Sequence, residues 1–260
     1  MKNIKESKFP ILEFDCTKEA ILSASKNTKV AKCLPERCVI TFFGEAIDTF
    51  VAEKLLEKFE ELSFESRKIP LFLYKEAGRL PVLLVHGFGS GPYAAGLLEK
   101  LAALGCKKII VCGGCGVLEK DIDVGKILVP IKALRDEGTS YHYIAPSRYV
   151  DLNIDVINKI TFHLNQNNIP YKEVVTWTTD AIYRETFAKI ALRKKYGCNV
   201  VEMECASFAA VAQFLGVEFG QILYAGDDLS ADEWDERGWK KLINTRLDVL
   251  NRAIKICKEL

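Results

Sequence analysis

The chain has 260 residues, 49% of them hydrophobic, which is enough to bury one large α/β core and favours a single domain over two small ones. Lys and Arg total 36 against 35 Asp and Glu, a formal net charge of +1, and this balance argues against nucleic acid or an anionic membrane as the main partner. Apolar runs such as Leu80 to Val85 are strand-length, and the polar start Met1 to Lys8 has no apolar signal core behind it, so a cytoplasmic protein is expected.

Residues 1–36 carry few periodic signals beyond a short strand at Ile11 to Phe14 and a helical turn or two in Lys18 to Ser25. They are expected to pack as an N-terminal extension on a domain spanning 37–260. Cys38 to Phe43 reads as a buried strand, and an amphipathic helix follows from about Glu45 to Leu62, with Ile47, Phe50, Val51, Leu55 and Phe59 inward. Strands at Leu71 to Tyr74 and Leu80 to Val85 flank a turn at Ala77-Gly78-Arg79. A helix from Pro92 to about Leu104 starts at its proline. The strand Lys107 to Cys112 ends in Gly113-Gly114-Cys115-Gly116, and a turn at Asp123 to Lys126 leads into a strand ending at Pro130. Asn153 to Gln166 is helical, Tyr171 to Thr176 a strand, Arg184 to Lys195 helical, and Asn199-Val200-Val201 a short strand before an apolar helix closed by Gly216. Gln221 to Ala225 and the helix Trp239 to Leu260 complete the chain. Such alternation predicts a largely parallel sheet covered on both faces, with function at the C-terminal ends of the strands.

Four strand ends carry candidate chemistry: His86-Gly87-Phe88-Gly89, Cys112-Gly113-Gly114-Cys115-Gly116, Val201-Glu202-Met203-Glu204 and Ala225-Gly226-Asp227-Asp228. Glycines after a strand let backbone amides approach an anion, but they also make ordinary tight turns, and neither cluster completes a nucleotide fingerprint. Glu202 and Glu204 fall in the first turn of the predicted helix. There a helix dipole favours any carboxylate, and a carboxylate aimed into a cleft would accept hydrogen bonds from sugar hydroxyls. Nine cysteines scattered through apolar segments fit reduced thiols better than a disulfide framework. Cys112-x-x-Cys115 lacks a convincing second pair for zinc, Cys33 and Cys38 being a loose match, and its two glycines stand where a redox helix would begin. No metal is expected.

In order and spacing these motifs resemble the purine nucleoside and uridine phosphorylase superfamily, which also includes nucleosidases. The resemblance runs from about Val39 to the C-terminus. Its most specific signature is Val-Glu-Met-Glu before an Ala-rich helix, with Asp227 as companion and Asp123 to Ile127 and Thr178 to Tyr183 matching in order. It implies a three-layer α/β/α sandwich with a twisted mixed, largely parallel sheet, assembled as a dimer or hexamer. It also implies cleavage of the N-glycosidic bond of a nucleoside, as phosphorolysis to free base and ribose 1-phosphate, as hydrolysis by water, or as binding alone in a degenerate member. Carried over by position, Met203, Glu204 and Glu202, with Phe88 and His86, lie at the ribose. Ile182, Tyr183 and Arg184 lie at the base, and Asp227 is the acid that protonates the leaving base. A proton donor there contributes roughly 10²–10⁴-fold, and Glu204 adds electrostatic support beside the cationic sugar.

The nucleophile site implied comprises Gly44, Gly113, Gly114 and Arg67, with inorganic phosphate as co-substrate and no other cofactor. Yet the places of two phosphate arginines and a serine or threonine read Ile47, Val111 and Gly114. Charge-assisted hydrogen bonds contribute roughly 1.5–3 kcal/mol each. Losing both arginines would therefore weaken phosphate by roughly 10²–10⁴-fold. Arg67 matches a residue donated by a neighbouring subunit, or is plain surface; Lys126, Arg135 and Arg184 are substitute cations or surface salt bridges. Glu45 and Asp48 lie where nucleosidases hold a water-positioning acid. His86 and His142 are contacts or structural residues, and His163 reads as helix surface.

Overall fold

The computed structural model describes residues 4–29, 33–75 and 80–260. Among these the elements run α1 (Ala24–Asn27), β1 (Arg37–Thr41), α2 (Gly44–Ala52), β2 (Leu56–Ser63), β3 (Lys68–Tyr74), β4 (Val82–His86), α3 (Gly91–Ala103), β5 (Lys108–Val117), β6 (Ile127–Asp136), β7 (Tyr149–Asp151), α4 (Ile154–Gln166), β8 (Tyr171–Thr179), α5 (Phe187–Lys195), β9 (Val200–Glu202), α6 (Cys205–Leu215), β10 (Glu218–Asp228) and α7 (Ile243–Glu259). No helix among them is long and apolar enough to cross a membrane.

The continuous apolar runs become strands buried on both faces: Cys38 to Ile40, Val82 to Val85 and Ile109 to Cys112 are all sealed from solvent. One mixed sheet joins the strands. β4, β1, β5 and β10 lie side by side and parallel, as do β6, β8 and β9, while β2, β3, β7 and the joins β5–β9 and β6–β10 are antiparallel. Period-two alternation along β10 separates the helical layers. Phe219 stacks on Phe208 of α6, with ring centroids 5.8 Å apart, while Gly220 faces Val156 and Ile160 of α4 on the other side. The three-layer α/β/α architecture follows. Residues 4–29 run along this body; Ile11 approaches Gly138, and the Lys18 ammonium sits 5.9 Å from the Phe214 ring centre.

Several element expectations are corrected. The helix expected over Glu45 to Leu62 stops at Ala52, because Lys54 takes a positive φ of 59° and the chain returns as β2, paired antiparallel with β3. Leu55 and Phe59 match helical spacing only by coincidence. Pro10–Leu12 forms a 3-10 turn, not a strand, with Pro10 presetting φ at its start. Helix α5 begins only at Phe187, where Thr186 caps it by accepting from the Lys189 amide at 3.4 Å, and Ile182–Arg184 is a separate 3-10 turn. β5 continues through the whole glycine cluster to Val117, because β10 pairs alongside it as far as Asp228 opposite Val117. β6 likewise reaches Asp136, so Arg135 is a strand residue. The expected turn at Ala77-Gly78-Arg79 lies outside the described residues.

A β-carbon at Gly220 would fall 2.6 Å from Val156 Cγ1 and 2.7 Å from Ile160 Cδ1, so α4 packs closely on bare backbone. Gly220→Ala is expected to lower stability by about 1–3 kcal/mol through overpacking. An unchanged urea midpoint would show that α4 can move away.

Candidate active site

β5 changes partner along one edge. β1 pairs with it as far as Thr41 opposite Cys112, and β9 takes up the same edge, antiparallel, at Gly116 opposite Val201. Between them Gly113 to Cys115 have no strand on that side, which leaves a crevice where the chain order switches. The cavity there has a volume of about 1050 Å³ and is walled by residues from β5, β9, β10 and the loops that follow them. The glycines are required by close neighbours: a side chain at Gly113 would meet the Phe42 ring at 3.1 Å, and one at Gly114 the Tyr224 ring at 3.1 Å.

The two acids of Val-Glu-Met-Glu part company. Glu202 ends β9 and Glu204 is the N-cap residue of α6, so neither lies in the first turn as expected. Glu202 accepts from Thr178 Oγ1 at 2.6 Å, Thr176 Oγ1 at 3.1 Å and the amides of Glu204 and Cys205 at 2.8 and 2.6 Å. Its carboxylate is thereby committed to joining β8, β9 and the start of α6. Glu204 is buried too, but no side chain among the described residues donates to it, and its Oε1 lies 3.6 Å from where a Gly89 side chain would begin. Burial first, and the neighbouring Glu202 charge second, push its carboxyl well above the usual range. Glu204 and Met203 both line the cavity.

Asp227 reaches the same cavity from the end of β10 and accepts from the Trp234 indole at 2.7 Å. Ile182 and Tyr183 stand at its mouth, both exposed, and Glu185 joins them. Burial, with Asp227's charge as the next cause, raises the Glu185 carboxyl from an ordinary 4.5 to about 7. Arg237, at φ 48°, ties the loop after β10 down by donating from Nε and Nη2 to the Gly226 carbonyl at 2.9 and 2.6 Å. Gln221 also faces the cavity, with both side-chain amide atoms buried and unpartnered among the described residues.

On the α7 side, Arg246 lines the cavity and donates Nε to the Tyr224 hydroxyl at 3.0 Å, while its Nη1 pairs with Glu45. Sequence reasoning passed over Arg246, Tyr224, Glu185, Trp234 and Gln221. The faint signal for Arg246 is a cation set among the inward-spaced Leu242, Leu247 and Leu250.

Other expected site residues lie outside the cavity wall. His86 sits 3.3 Å from where a Gly44 side chain would begin and meets the Phe88 ring edge-on, centroids 5.0 Å apart; the Arg67 guanidinium of the same chain lies 4.3 Å from the Phe88 ring centre. Burial, then Arg67's charge, lower the His86 pKa. Arg184 is exposed and does not line the cavity. Ile47 and Val111 are core residues. Arg135 is buried and holds Ser140, Ser147 and the Ala145 carbonyl. His163, expected on a helix surface, is 6% exposed and pairs its Nδ1 with Glu259 at 2.9 Å, because α4 turns this face toward α7. No group of three His, Cys, Asp or Glu side chains among the described residues could hold a metal ion.

The model of the phosphorylase superfamily matches residues 36–260. A guanosine phosphorylase of Halorubrum lacusprofundi is 29% identical over 171 residues, which span 64% of this chain and 69% of that protein. Among solved structures, purine nucleoside phosphorylase from Toxoplasma gondii with immucillin-H superposes at a TM-score of 0.71 with 20% identity, covering 88% of this chain and 94% of that one. An AMP nucleosidase from Bacteroides thetaiotaomicron gives 0.69 and 19%, covering 87% and 90%. At such identities the two structures establish a shared fold.

Glu202→Ala is expected to cost at least about 2 kcal/mol, since two hydroxyls and two helix-start amides lose their acceptor. Glu204→Gln should leave the denaturation midpoint nearly unchanged, because the carboxyl it replaces is already disfavoured as an anion; equal losses in both variants would contradict this division. Glu185 binds its proton more tightly folded than unfolded. Its contribution to stability is therefore present below pH 4.5 and lost as pH rises to about 7. The stability difference between the native chain and Glu185→Gln, followed by chemical denaturation from pH 4 to 8, should fall across that window; a flat difference counts against a raised Glu185.

Proposed function

The chain belongs to the phosphorylase superfamily, and from that premise we propose that it cleaves the N-glycosidic bond of a nucleoside by phosphorolysis, as a pentosyltransferase releasing free base and ribose 1-phosphate. The observation that carries this reading is the meeting of Met203, Glu204 and Asp227 in one cavity, reached from two different strands. Met203 packs on the sugar and Glu204 takes its hydroxyls. Bond breaking builds positive charge on the sugar and negative charge on the base. A buried carboxyl beside the first gains from ionising, and an acid beside the second supplies the proton. Asp227 is that acid, and Glu185, holding its proton to about pH 7, is the neighbour able to replenish it. Ile182 and Tyr183 wall the base.

Hydrolysis is the second reading, favoured by the burial of Ile47 and Val111 in the core and by Glu45, an acid that pairs with the cavity-lining Arg246. The proposal extends to a homo-oligomer, dimer or hexamer, in which Arg67 serves a neighbouring site, and to nucleoside salvage in the cytoplasm. Nine unpaired thiols support a reducing medium. Inorganic phosphate is the only co-substrate proposed, with no cofactor.

Incubation with a purine and pyrimidine nucleoside panel, with and without phosphate, separates the readings. Phosphate-dependent release of base with ribose 1-phosphate is expected; release of free ribose without phosphate sinks phosphorolysis, and saturable binding without turnover sinks catalysis altogether. Asp227→Asn should lower kcat by roughly 10²–10⁴-fold. Full activity in that variant would remove Asp227 from the acid role.

A further inference from the structure

Arg246 occupies an unusual setting for a surface ion pair. It rises from the first turn of α7, its side chain is 12% exposed, and its guanidinium is fixed from several directions. Trp239, Phe43 and Tyr224 surround it, with ring centres 5.2, 5.9 and 6.0 Å from Cζ. Nε is held by the Tyr224 hydroxyl and Nη1 by Glu45, while Nη2 has no hydrogen-bond partner among the described residues. Tying α7 to α2 would need only the Glu45 contact. Three rings and a phenol orient the planar group as well, and they do so at the wall of the cavity.

The location is as telling as the setting. A side chain at Gly114 would begin 3.2 Å from the Tyr224 hydroxyl that Arg246 touches, so the guanidinium lies one phenol oxygen away from the open glycine edge of β5. Tyr224 also precedes Asp227 along β10, with a register irregularity between Ala225 and Asp228, so the guanidinium and the acid are carried by different stretches of one strand.

We propose that Arg246, delivered by the C-terminal helix and held by Tyr224 and Glu45, is the residue of this cavity that binds a phosphate-type anion. The proposal rests on the nucleoside-cleavage reading for its context. The ligand chemistry is a phosphate dianion, supplied either by inorganic phosphate or by the ester of a nucleoside 5′-monophosphate. A guanidinium already fixed in place loses little freedom on binding, and its free Nη2 edge offers a charge-assisted donor to such an oxygen. Glu45, 40% exposed and on the more accessible side of the pair, is the internal carboxylate with which the anion competes.

Binding of inorganic phosphate, and separately of a panel of nucleoside 5′-monophosphates, is measured calorimetrically on the purified chain and on Arg246→Gln, Arg246→Lys and Glu45→Gln, alongside KM for phosphate and for nucleoside. Arg246→Gln should weaken one of the two anions by roughly 10- to 100-fold, with KM for an unphosphorylated nucleoside within about twofold of the native value. Arg246→Lys should recover part of the loss, and Glu45→Gln should tighten the anion several-fold. Loss confined to inorganic phosphate assigns the site to the nucleophile; loss confined to the monophosphates assigns it to an ester on the substrate. Unchanged affinity for both anions in a folded Arg246→Gln overturns the proposal. Should that variant fail to fold, unchanged affinity in Glu45→Gln overturns it instead. A native chain that cleaves nucleosides yet binds neither anion refutes Arg246 alone. One that binds an anion through Arg246 but cleaves no nucleoside refutes the functional reading alone.

Discussion

The pairing of β5 with β10 is the contact on which everything else rests. It runs from Lys108 opposite Glu218 to Val117 opposite Asp228, and it keeps β5 extended beyond the point where β1 leaves it. A strand held on one edge and abandoned on the other has backbone to offer a ligand. Glycine is needed there because Phe42 and Tyr224 already fill the space that side chains would take. The same ladder carries Tyr224 and Asp227 to the cavity on a rigid support, so groups of opposite chemistry are spaced by the strand itself and not by loops.

Charge is distributed unevenly around that cavity. Burial raises the carboxyls of Glu202, Glu204 and Glu185 above the ordinary range, so a negative charge on the acid side is held against a desolvation cost. Glu202 tolerates burial because four donors surround it. Glu204 does not have that company, and its environment becomes favourable to an anion only when something positive arrives. Two acids separated by one residue thus divide the work, one building the turn and the other left open to a ligand.

Much of this was legible in the chain. Apolar runs marked the central strands, and the strand ends with glycine or acid pointed to the crevice. Val-Glu-Met-Glu and Asp227 identified its contents. The misreadings have identifiable physical causes, one local and the others long-range. Leu55 and Phe59 satisfy helical spacing while lying beyond a residue with positive φ, which periodicity does not register. The glycine cluster looked like a turn because its strand character depends on β10, about one hundred residues away in the chain. Arg246 was hidden for the same reason: its meaning comes from Glu45 and Tyr224, which only the tertiary structure brings to it. His163 resembled a surface residue because its partner Glu259 on α7 lies 96 residues further along the chain.

Helix α7 ties segments distant in the chain to one another. Arg246 reaches back to Glu45, and the Cys257 thiol donates to the Cys38 carbonyl at 3.5 Å, contacts that span 201 and 219 residues of chain. β10, which completes the central pairing, is also made late. A ribosome-bound chain therefore holds β1, β4 and β5 as apolar strands with incomplete cover until β10 and α7 have emerged. Non-local pairings of this kind are slow to form, and the nascent chain must be protected from association in the interval. The cavity is accordingly complete only when α7 docks, since Trp239 and Arg246 supply part of its wall.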